Sequence, residues 1–493
     1  MTLVQPKRVR TFPFPKADPA KRKKDFSEVQ QAYSKEEAME EADRCLRCGT
    51  PVCIDACPVH LDVRGMNDAV AKGDFEQAYR RIRETNPLLG VTARCCPQLM
   101  GLCEDACVLR WQGEPVAIGM IQRFVADWER KHRQPDPSIE KATGKRVAVI
   151  GAGPAGLAAA ELLRRYGHSV VVYEELQYAG GTAWYGIPDY HLPKDVLQYE
   201  VDRIKEMGIE IRYNISIGKQ VTLTDLLDEF DAVLIATGCK DVMKLDIAGS
   251  NLKGVYDAYD FLQDVFVRGI DEYIKHPKYE LGKDIIVIGG GDSALDAART
   301  ALRLTNGNVT IVYRRTENEM PADPTIVDEA KEEGIQFKFL AAPKSFNGSN
   351  NRLVSVTMYT MKLGAPDQTG RRSPEPVEGE DFNMKCDSVI LAIGRAPNSF
   401  IQKVYNLKTG KRNSLYVDDH YRTSMERVFG TGDVVTGESL VVKAMAHGRE
   451  AAQRIHEYLM NMEDKHISLY EKYYNERTYE KFVEGAYDGL PPP

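Results

Sequence analysis

Cysteine spacing near the N-terminus is the strongest chemical signal in the chain. Seven of the ten cysteines form two groups, which read Cys-x2-Cys-x4-Cys-x3-Cys-Pro and Cys-Pro-x5-Cys-x3-Cys. The residues concerned are Cys45, Cys48, Cys53, Cys57, Cys96, Cys103 and Cys107. The clustering, the chain length and the lack of a secretory signal favour metal ligands over disulfides. Thiolates at this density are typical of iron-sulfur ligation.

A glycine-rich turn just downstream indicates a dinucleotide site. The turn GAGPAG follows the apolar stretch KRVAVI and opens an apolar helix. Gly151 allows a tight turn, Gly153 lets the backbone approach a pyrophosphate, and Gly156 lets the helix pack on the strand. The N–H groups of the helix start then face the phosphates. Glu174 lies about 20 residues on, where a carboxylate binds ribose hydroxyls.

A second unit of the same architecture begins at Lys283. KDIIVIGGG predicts a strand and turn, DSALDAARTALRLT a helix, and NVTIVYRR the next strand. The repeat predicts a second dinucleotide domain. We expect its nucleotide contacts to come from Gly289, Gly291, Asp292 and Ser293.

The second unit carries arginines where the first carries an acid. Arg314 and Arg315 follow its second predicted strand. A carboxylate there would repel a 2′-phosphate, whereas guanidinium groups bind one bidentately. This predicts NADPH rather than NADH as the nucleotide, although NADH stays possible. The alternative is that both arginines form a solvated strand end.

A third glycine turn, GTGD at 430–433, predicts the flavin end of the first site. Asp433 is placed to accept a hydrogen bond from a ribityl hydroxyl, next to Gly432. ATG at 236–238 and AIG at 392–394 also end predicted apolar strands. A flavin is expected because a nicotinamide gives up two electrons at once whereas an iron-sulfur cluster accepts one.

Composition narrows the function classes. The 493 residues predict roughly three domains. A net charge of −7 argues against a sequence-independent nucleic-acid binder. With no secretory signal and no run of about 18 apolar residues, we expect a cytoplasmic chain without membrane spans. Cys239 and Cys386 stand alone, so a disulfide reductase, which needs a dithiol beside the flavin, is excluded.

These motifs resemble the small, pyridine-nucleotide-oxidising subunit of glutamate synthase and its relatives. The relatives are the large subunit of NADH-dependent ferredoxin:NADP oxidoreductase, the sulfide dehydrogenase subunit and the N-terminal half of dihydropyrimidine dehydrogenase. The resemblance rests on RCLRCGTPVC, ETNPLLGVTARCCPQ, GAGPAGLAAA, YGIPDYHLPK, YRRTENEMPA and GTGDVVTG. It implies an α/β two-dinucleotide-binding flavoprotein, with two Rossmann-like domains, preceded by an all-α iron-sulfur domain.

The expected domains follow the changes in sequence pattern. They are a helical domain with two [4Fe-4S] clusters at 1–143, an FAD domain at 144–256 and 388–460, an NAD(P)H domain at 257–387, and an extension at 461–493. For the extension, a helical arm packed on its own subunit and a partner-docking arm both stay open.

The resemblance also implies how the clusters are held. Cys45, Cys48 and Cys53 would share one [4Fe-4S] cluster with Cys107. The other cluster would be bound by Cys57, Cys96, Cys103 and, through an amide oxygen, Gln122. Cys95 is a rival for that last position, with a buried free thiol as its alternative.

The implied activity is NAD(P)H-driven electron transfer. NADPH would pass a hydride to FAD, which is bound by Gly151, Gly153, Gly156, Glu174, Gly181, Gly432 and Asp433. Hydride transfer needs alignment only, so no catalytic side chain is expected. Single electrons would then reach a larger catalytic subunit, or a ferredoxin or flavoprotein partner, in a hetero-oligomer, most plausibly of glutamate synthase type. The alternatives are an electron-bifurcating transhydrogenase subunit, a sulfide dehydrogenase subunit and a non-catalytic interaction subunit.

Overall fold

The computed structural model describes residues 10, 12–366 and 372–462. The predicted C-terminal extension lies outside these residues from 463 onward. Within the described part, no helix is both long and apolar enough to cross a membrane.

The N-terminal part is helical, as the sequence predicts. Its helices are α1 (Pro19–Arg22), α2 (Lys35–Asp43), α3 (Val52–Asp55), α4 (Val63–Ala71), α5 (Phe75–Arg83), α6 (Leu89–Cys95) and α7 (Ile118–Lys131), with a 3₁₀ helix at Val108–Trp111. Side chains at the helix starts fix several boundaries: Ser34 and Glu37 form a capping box, and Asp62 and Asp74 accept from backbone N–H groups of the first turn. The apolar faces share one core with the next unit.

The first α/β unit is built on a parallel sheet. Its strands are β1 (Arg146–Ile150), β2 (Ser169–Tyr173), β3 (Glu210–Arg212), β4 (Ala232–Ile235) and β16 (Val428–Gly430), in the order β16-β4-β1-β2-β3. Its helices are α8 (Pro154–Arg165), α9 (Thr182–Tyr185), α10 (Lys194–Glu206), α11 (Leu223–Glu229), α16 (Phe400–Val404), α17 (Asp433–Thr436) and α18 (Val441–Leu459), with a 3₁₀ turn at Lys411–Asn413.

The second α/β unit repeats the same sheet order. Its strands are β6 (Val255–Asp257), β7 (Asp284–Ile288), β8 (Asn308–Tyr313), β9 (Gln336–Phe339) and β14 (Ser388–Leu391), in the order β6-β14-β7-β8-β9. Its helices are α12 (Ala258–Arg268), α13 (Ile270–Lys275), α14 (Asp292–Thr305) and α15 (Pro324–Glu333), with a 3₁₀ helix at Glu317–Glu319. Both sheets have the strand order of dinucleotide-binding domains, so two such units are present.

Two antiparallel sheets accompany the second unit. One contains β10 (Ala341–Ser349), β11 (Arg352–Pro366), β12 (Arg372–Pro376) and β13 (Phe382–Lys385). The other sheet pairs β5 (Cys239–Val242) with β15 (Arg395–Pro397). These two strands are the segments in which the chain passes from one α/β unit to the other.

The sheet pairing moves the expected domain border. Strand β14 pairs in parallel with β7 and β6, so 388–391 and 255–257 belong to the sheet of the second unit. The sequence division placed 388–391 and 255–256 in the first unit. The reason is that AVLIATG and SVILAIG look alike locally, and only the pairing partner distinguishes them.

Residues 12–31, here called the N-terminal strap, connect all three units. Val29 N donates to Tyr190 O at 2.9 Å in the first α/β unit. Arg22 is 1% exposed and its Nε donates to Glu333 Oε1 at 2.9 Å in the second. The strap thereby ties the helical domain to both α/β units.

Glu333 is the centre of this attachment. Arg299 and Arg303 also donate to its carboxylate, at 2.7 and 2.8 Å. Burial alone would raise the pKa of Glu333, but the hydrogen bonds from Arg303 and Arg299 outweigh it and lower that pKa to about 2. Its folded pKa lies below the ordinary 4.5, so its stabilisation is present above pH 4.5 and lost as the pH falls toward 2.

Replacing Glu333 with Gln should lower the free energy of unfolding by about 3–5 kcal/mol, because three buried guanidiniums lose their shared charge. The neighbouring Glu332→Gln is the matched control: that side chain is 37% exposed and pairs with Lys16 and Arg22, so we expect a loss of about 1 kcal/mol or less. Urea unfolding of both variants measures the difference. Equal losses would contradict the central role of Glu333.

Candidate functional site

Two positions of the first glycine turn, Gly151 and Gly156, lie too close to neighbouring backbone to hold a side chain. A Cβ on Gly156 would lie 2.0 Å from Gly151 O, and one on Gly151, whose φ is +106°, would lie 2.5 Å from Ala236 O. Gly153 is different, since the nearest atom to an added Cβ is Gly181 Cα at 3.9 Å. Gly153 also caps α8 without any side-chain hydrogen bond. The N–H groups at this helix start are therefore available to an anion.

Glu174 lies at the end of β2, beside this turn. Its two carboxylate oxygens accept from Ala152 N at 2.8 Å and Leu176 N at 2.9 Å. Burial raises the pKa of Glu174 although both hydrogen bonds oppose the rise. The carboxylate is held rigidly and keeps free lone pairs, which suits it to bind ribose hydroxyls.

The expected flavin-side residues meet at the same edge of the sheet. Gly432 follows β16 with φ +69°, and a Cβ there would lie 2.7 Å from Ala155 Cβ in α8. Asp433 begins α17, and its carboxylate accepts from Ser439 Oγ at 2.6 Å. Burial raises the pKa of Asp433 to about 6. Gly181 faces Gly153 across the turn, with φ +54°.

Buried polar atoms without partners mark the rest of this edge. Among the described residues they include Trp184 Nε1, Thr237 Oγ1 and Thr431 Oγ1. Such atoms are costly unless something binds them. They fit the polar edge of a flavin and its ribityl chain. Thr237 and Thr431 were not predicted as site residues, although they stand inside the ATG and GTGD motifs that predicted this site.

The second glycine turn has the same construction. A Cβ on Gly289, with φ +149°, would lie 2.3 Å from Ala392 O, and one on Gly290 would lie 2.5 Å from the Tyr313 ring. Gly291 caps the 14-residue helix α14 without a side-chain hydrogen bond. This helix start is a second place for a nucleotide pyrophosphate.

The other residues predicted for this site differ in accessibility. Ser293 is exposed on the first turn of α14. Asp292 is turned away, since its carboxylate accepts from Asp323 N at 2.9 Å. Burial raises the pKa of Asp292 to about 6. Asp292 thus holds the loop before α15.

The two arginines after β8 also differ. Arg314 is exposed at the strand end. Arg315 is only 5% exposed, and its Nε donates to Arg372 O in β12 at 2.7 Å. The chain therefore offers Arg314 to a 2′-phosphate more directly than Arg315.

The thiols predicted for the first cluster are electrostatic neighbours. Burial raises the pKa of the Cys53 thiol, and the next largest contributions come from Cys45, Cys107 and Cys48. Burial likewise raises the pKa of Cys107, with Cys45 and Cys48 adding to the effect. The fold thus brings Cys107 back to the first three cysteines of the chain.

The other three thiols form a second neighbourhood. Burial raises the pKa of Cys103, followed in size by contributions from Cys57, Glu104 and Cys96. Cys57 is likewise the leading charged neighbour of Cys96. Glu104, which lies among these thiols, was missed from the sequence; its burial raises its pKa to about 7, and it accepts from Gly119 N at 2.9 Å.

Gln122 lies one helical turn after Gly119, on the same face of α7. It is 6% exposed, and its Nε2 lies 3.5 Å from Thr92 Oγ1. That contact leaves Oε1 as the atom suited to a metal. Cys95 ends α6 beside Cys96, and burial raises the pKa of its thiol to about 12.

The described donors do not form a site for a single metal ion. In the part of the chain that the structure describes, no three Cys, His, Asp or Glu side chains converge on one point that would hold a metal ion. A four-iron cluster separates its ligands around a cube of iron and sulfide. Each cysteine then binds a different iron, so the three-donor convergence that a single ion needs is not required.

Two family profiles match the chain and together cover most of it. Residues 145–448 match pyridine nucleotide-disulphide oxidoreductase. Residues 22–134 match dihydropyrimidine dehydrogenase domain II, 4Fe-4S cluster. The first match spans both α/β units and the second spans the cysteine-rich helical part.

Relatives that match over most of this chain agree with these family matches. The chain is 37% identical to the glutamate synthase [NADPH] small chain of Escherichia coli, over 89% of this chain and 95% of the relative. It is 38% identical to the NADP(+)-dependent formate dehydrogenase subunit beta of Moorella thermoacetica, over 83% of this chain and 60% of that longer protein. Mycobacterium tuberculosis FprA in complex with NADPH superposes with a TM-score of 0.53 at 18% identity, covering 65% of this chain and 86% of FprA, and supports the fold alone.

Replacing Gly153 with Ala should leave the fold intact and weaken flavin binding at least about tenfold, because the added methyl fills only the space that a pyrophosphate needs. Flavin content after purification and the melting temperature measure the two effects. Gly156→Ala is the contrasting variant, in which the collision with Gly151 O lowers the melting temperature as well. Wild-type flavin content in Gly153→Ala would show that the turn does not bind the cofactor.

Proposed function

Because the chain belongs to the pyridine nucleotide-disulphide oxidoreductase family, in the group that includes the glutamate synthase small chain, we propose that it is an NADPH-oxidising electron-transfer subunit. In this proposal it binds NADPH, FAD and two [4Fe-4S] clusters. It delivers electrons one at a time to a larger partner subunit.

One observation carries the proposal. Two sheets of the same strand order each carry a glycine turn at the carboxyl edge, and the helix after each turn begins without a side-chain cap. Two groups of neighbouring thiols lie in the helical domain, which packs on both α/β units. A dinucleotide-binding protein without electron transfer would need only the first feature. Both together support the proposal, because conversion from hydride to single electrons requires a nucleotide site, a flavin site and one-electron centres.

The chain itself supplies binding and alignment. FAD, when bound, accepts a hydride from the nicotinamide and releases its electrons singly. The α8 start and Glu174 would hold its pyrophosphate and ribose, and Gly432 and Asp433 its ribityl side. The α14 start would hold the NADPH pyrophosphate. No side chain needs to move a proton for this reaction.

We assign the thiols to clusters according to their neighbours. Cys45, Cys48, Cys53 and Cys107 would ligate one cluster. Cys57, Cys96 and Cys103 would ligate the other, with Gln122 Oε1 as its fourth ligand. Cys95 is left outside both clusters, since it adjoins Cys96 and adjacent residues bind one cluster with poor geometry.

The partner is proposed by analogy with relatives that are themselves subunits. Their names describe a small chain of glutamate synthase and a beta subunit of a formate dehydrogenase. We propose a glutamate synthase-type complex, in which a larger polypeptide carries out the carbon and nitrogen chemistry. Isolation of the complex from the source organism tests this choice.

Anaerobically purified protein should contain one FAD and about eight irons, and should reduce ferricyanide with NADPH. Cys107→Ser should lower the iron content to about four while flavin is retained, because only one cluster loses a thiolate. Iron and flavin analysis with an NADPH assay checks each part. Protein without flavin, or iron near zero, would refute the proposal.

Arg314→Ala should raise KM for NADPH at least about tenfold and leave KM for NADH nearly unchanged, since the 2′-phosphate distinguishes them. Arg315→Ala serves as the comparison. Its buried guanidinium donates to Arg372 O. The Arg315→Ala substitution should therefore lower the melting temperature and leave the preference for NADPH over NADH nearly unchanged. If only Arg315→Ala changes KM for NADPH, the roles are reversed.

A further inference from the structure

Exposed apolar side chains of the helical domain are concentrated around the cysteines. Among described residues up to 143, five large hydrophobic residues are exposed: Val52, Leu99, Met100, Trp111 and Ile139. All but Ile139 lie within four positions of a cysteine from the two thiol groups. Trp111 is 85% exposed, far more than the 36–38% of the others. Exposed apolar side chains that flank the proposed cluster ligands in the sequence are those that a docking partner would cover.

The two thiol groups differ in burial. In one group Cys57 and Cys103 are buried and Cys96 is partly exposed. In the other group all four thiols, those of Cys45, Cys48, Cys53 and Cys107, are partly exposed. Electron transfer between centres slows steeply with distance. On the proposed function, electrons therefore exchange with a partner most readily at the partly exposed group.

Trp111 is fixed beside this group by the backbone. It ends the 3₁₀ helix that begins directly after Cys107. Arg110 N donates to Cys107 O at 3.0 Å, and Gln112 N donates to Leu109 O at 3.0 Å. An exposed indole on a rigid turn loses little conformational entropy on binding, which is why Trp is common among the residues that dominate interfaces.

We propose that Val52, Leu99, Met100 and Trp111 form the docking surface for a protein with a one-electron centre near its own surface, and that Trp111 anchors it. The inference rests on the proposed clusters. Each transfer oxidises the cluster by one electron and reduces the partner's centre by one, or the reverse, and no bond is broken.

The charges at the rim favour a protein as the occupant. Arg110 pairs with Asp105, and Arg47 pairs with Asp68 at 2.8 Å. Each of these two described cations has an acidic partner, so neither is the unpaired positive charge that a nucleic acid or an anionic membrane would need. An apolar centre with a mixed polar rim is the usual composition of a protein interface.

The test compares a protein probe with a small one on the holoprotein. The protein probe is a pre-reduced [4Fe-4S] ferredoxin that drives NADPH formation from NADP⁺; the small probe is ferricyanide reduced by NADPH. Trp111→Ala should lower kcat/KM for ferredoxin at least about tenfold. Its ferricyanide rate and melting temperature should stay at wild-type values, because the indole is 85% exposed.

Tyr416→Ala is the matched control, since this aromatic is 41% exposed and belongs to the first α/β unit rather than to the helical domain. It should change neither rate. The docking proposal is overturned if Trp111→Ala keeps the wild-type ferredoxin rate, or if the wild type uses ferricyanide but not ferredoxin. It is also overturned if Trp111→Ala turns a homodimer into monomers, because the occupant would then be a second copy of this chain. Failure of the proposed function looks different: the wild type itself then lacks cofactors and ferricyanide activity.

Discussion

A single buried carboxylate, that of Glu333, holds the architecture together. Three guanidiniums from two parts of the chain share it: Arg22 from the strap, and Arg299 and Arg303 from α14. The ring of Tyr190, from the first α/β unit, lies over Arg299 and Arg303 with centroid distances of 4.8 and 4.1 Å. All three units therefore meet at one polar cluster. Because a buried charge is tolerated only with its partners in place, the cluster favours one mutual orientation of these units.

That orientation matters because the proposed sites lie in different units. The α8 start belongs to the first α/β unit, the α14 start to the second, and the thiols to the helical domain. Arg395 adds a second connection at the chain crossing, where it bonds Asp257 and Asp260 at 2.6 and 2.7 Å and stacks on Tyr259. Electron transfer depends on distance, so a fixed arrangement of units is itself a functional requirement.

The sequence predicts the parts of the structure whose causes are local. Gly151 and Gly289 have positive φ, and a neighbouring backbone carbonyl approaches each of them closely. Only glycine tolerates both conditions, so the residue type predicts the turn. The apolar runs before them and the periodic helices after them follow from burial on known faces. What depends on distant partners is not readable in this way. The sequence gives no sign that Arg22 is buried against α15, that Arg315 bonds β12, or that 388–391 pairs with β7 rather than β4.

The unequal burial of the thiols explains why an amide suits one ligand position. On the proposed assignment, the partly exposed group has four thiolates, and the more buried group has three thiolates and Gln122. Burying negative charge is costly, and the cost rises as water is excluded. A neutral ligand makes the cluster one unit less negative where solvation is poorest. Adding an electron to that cluster should therefore be easier. The Glu104 carboxyl lies beside the same thiols, with burial raising its pKa to about 7. Arg10 pairs with this carboxylate at 3.1 Å and offsets its negative charge, so ligand and ion pair limit charge in the same place.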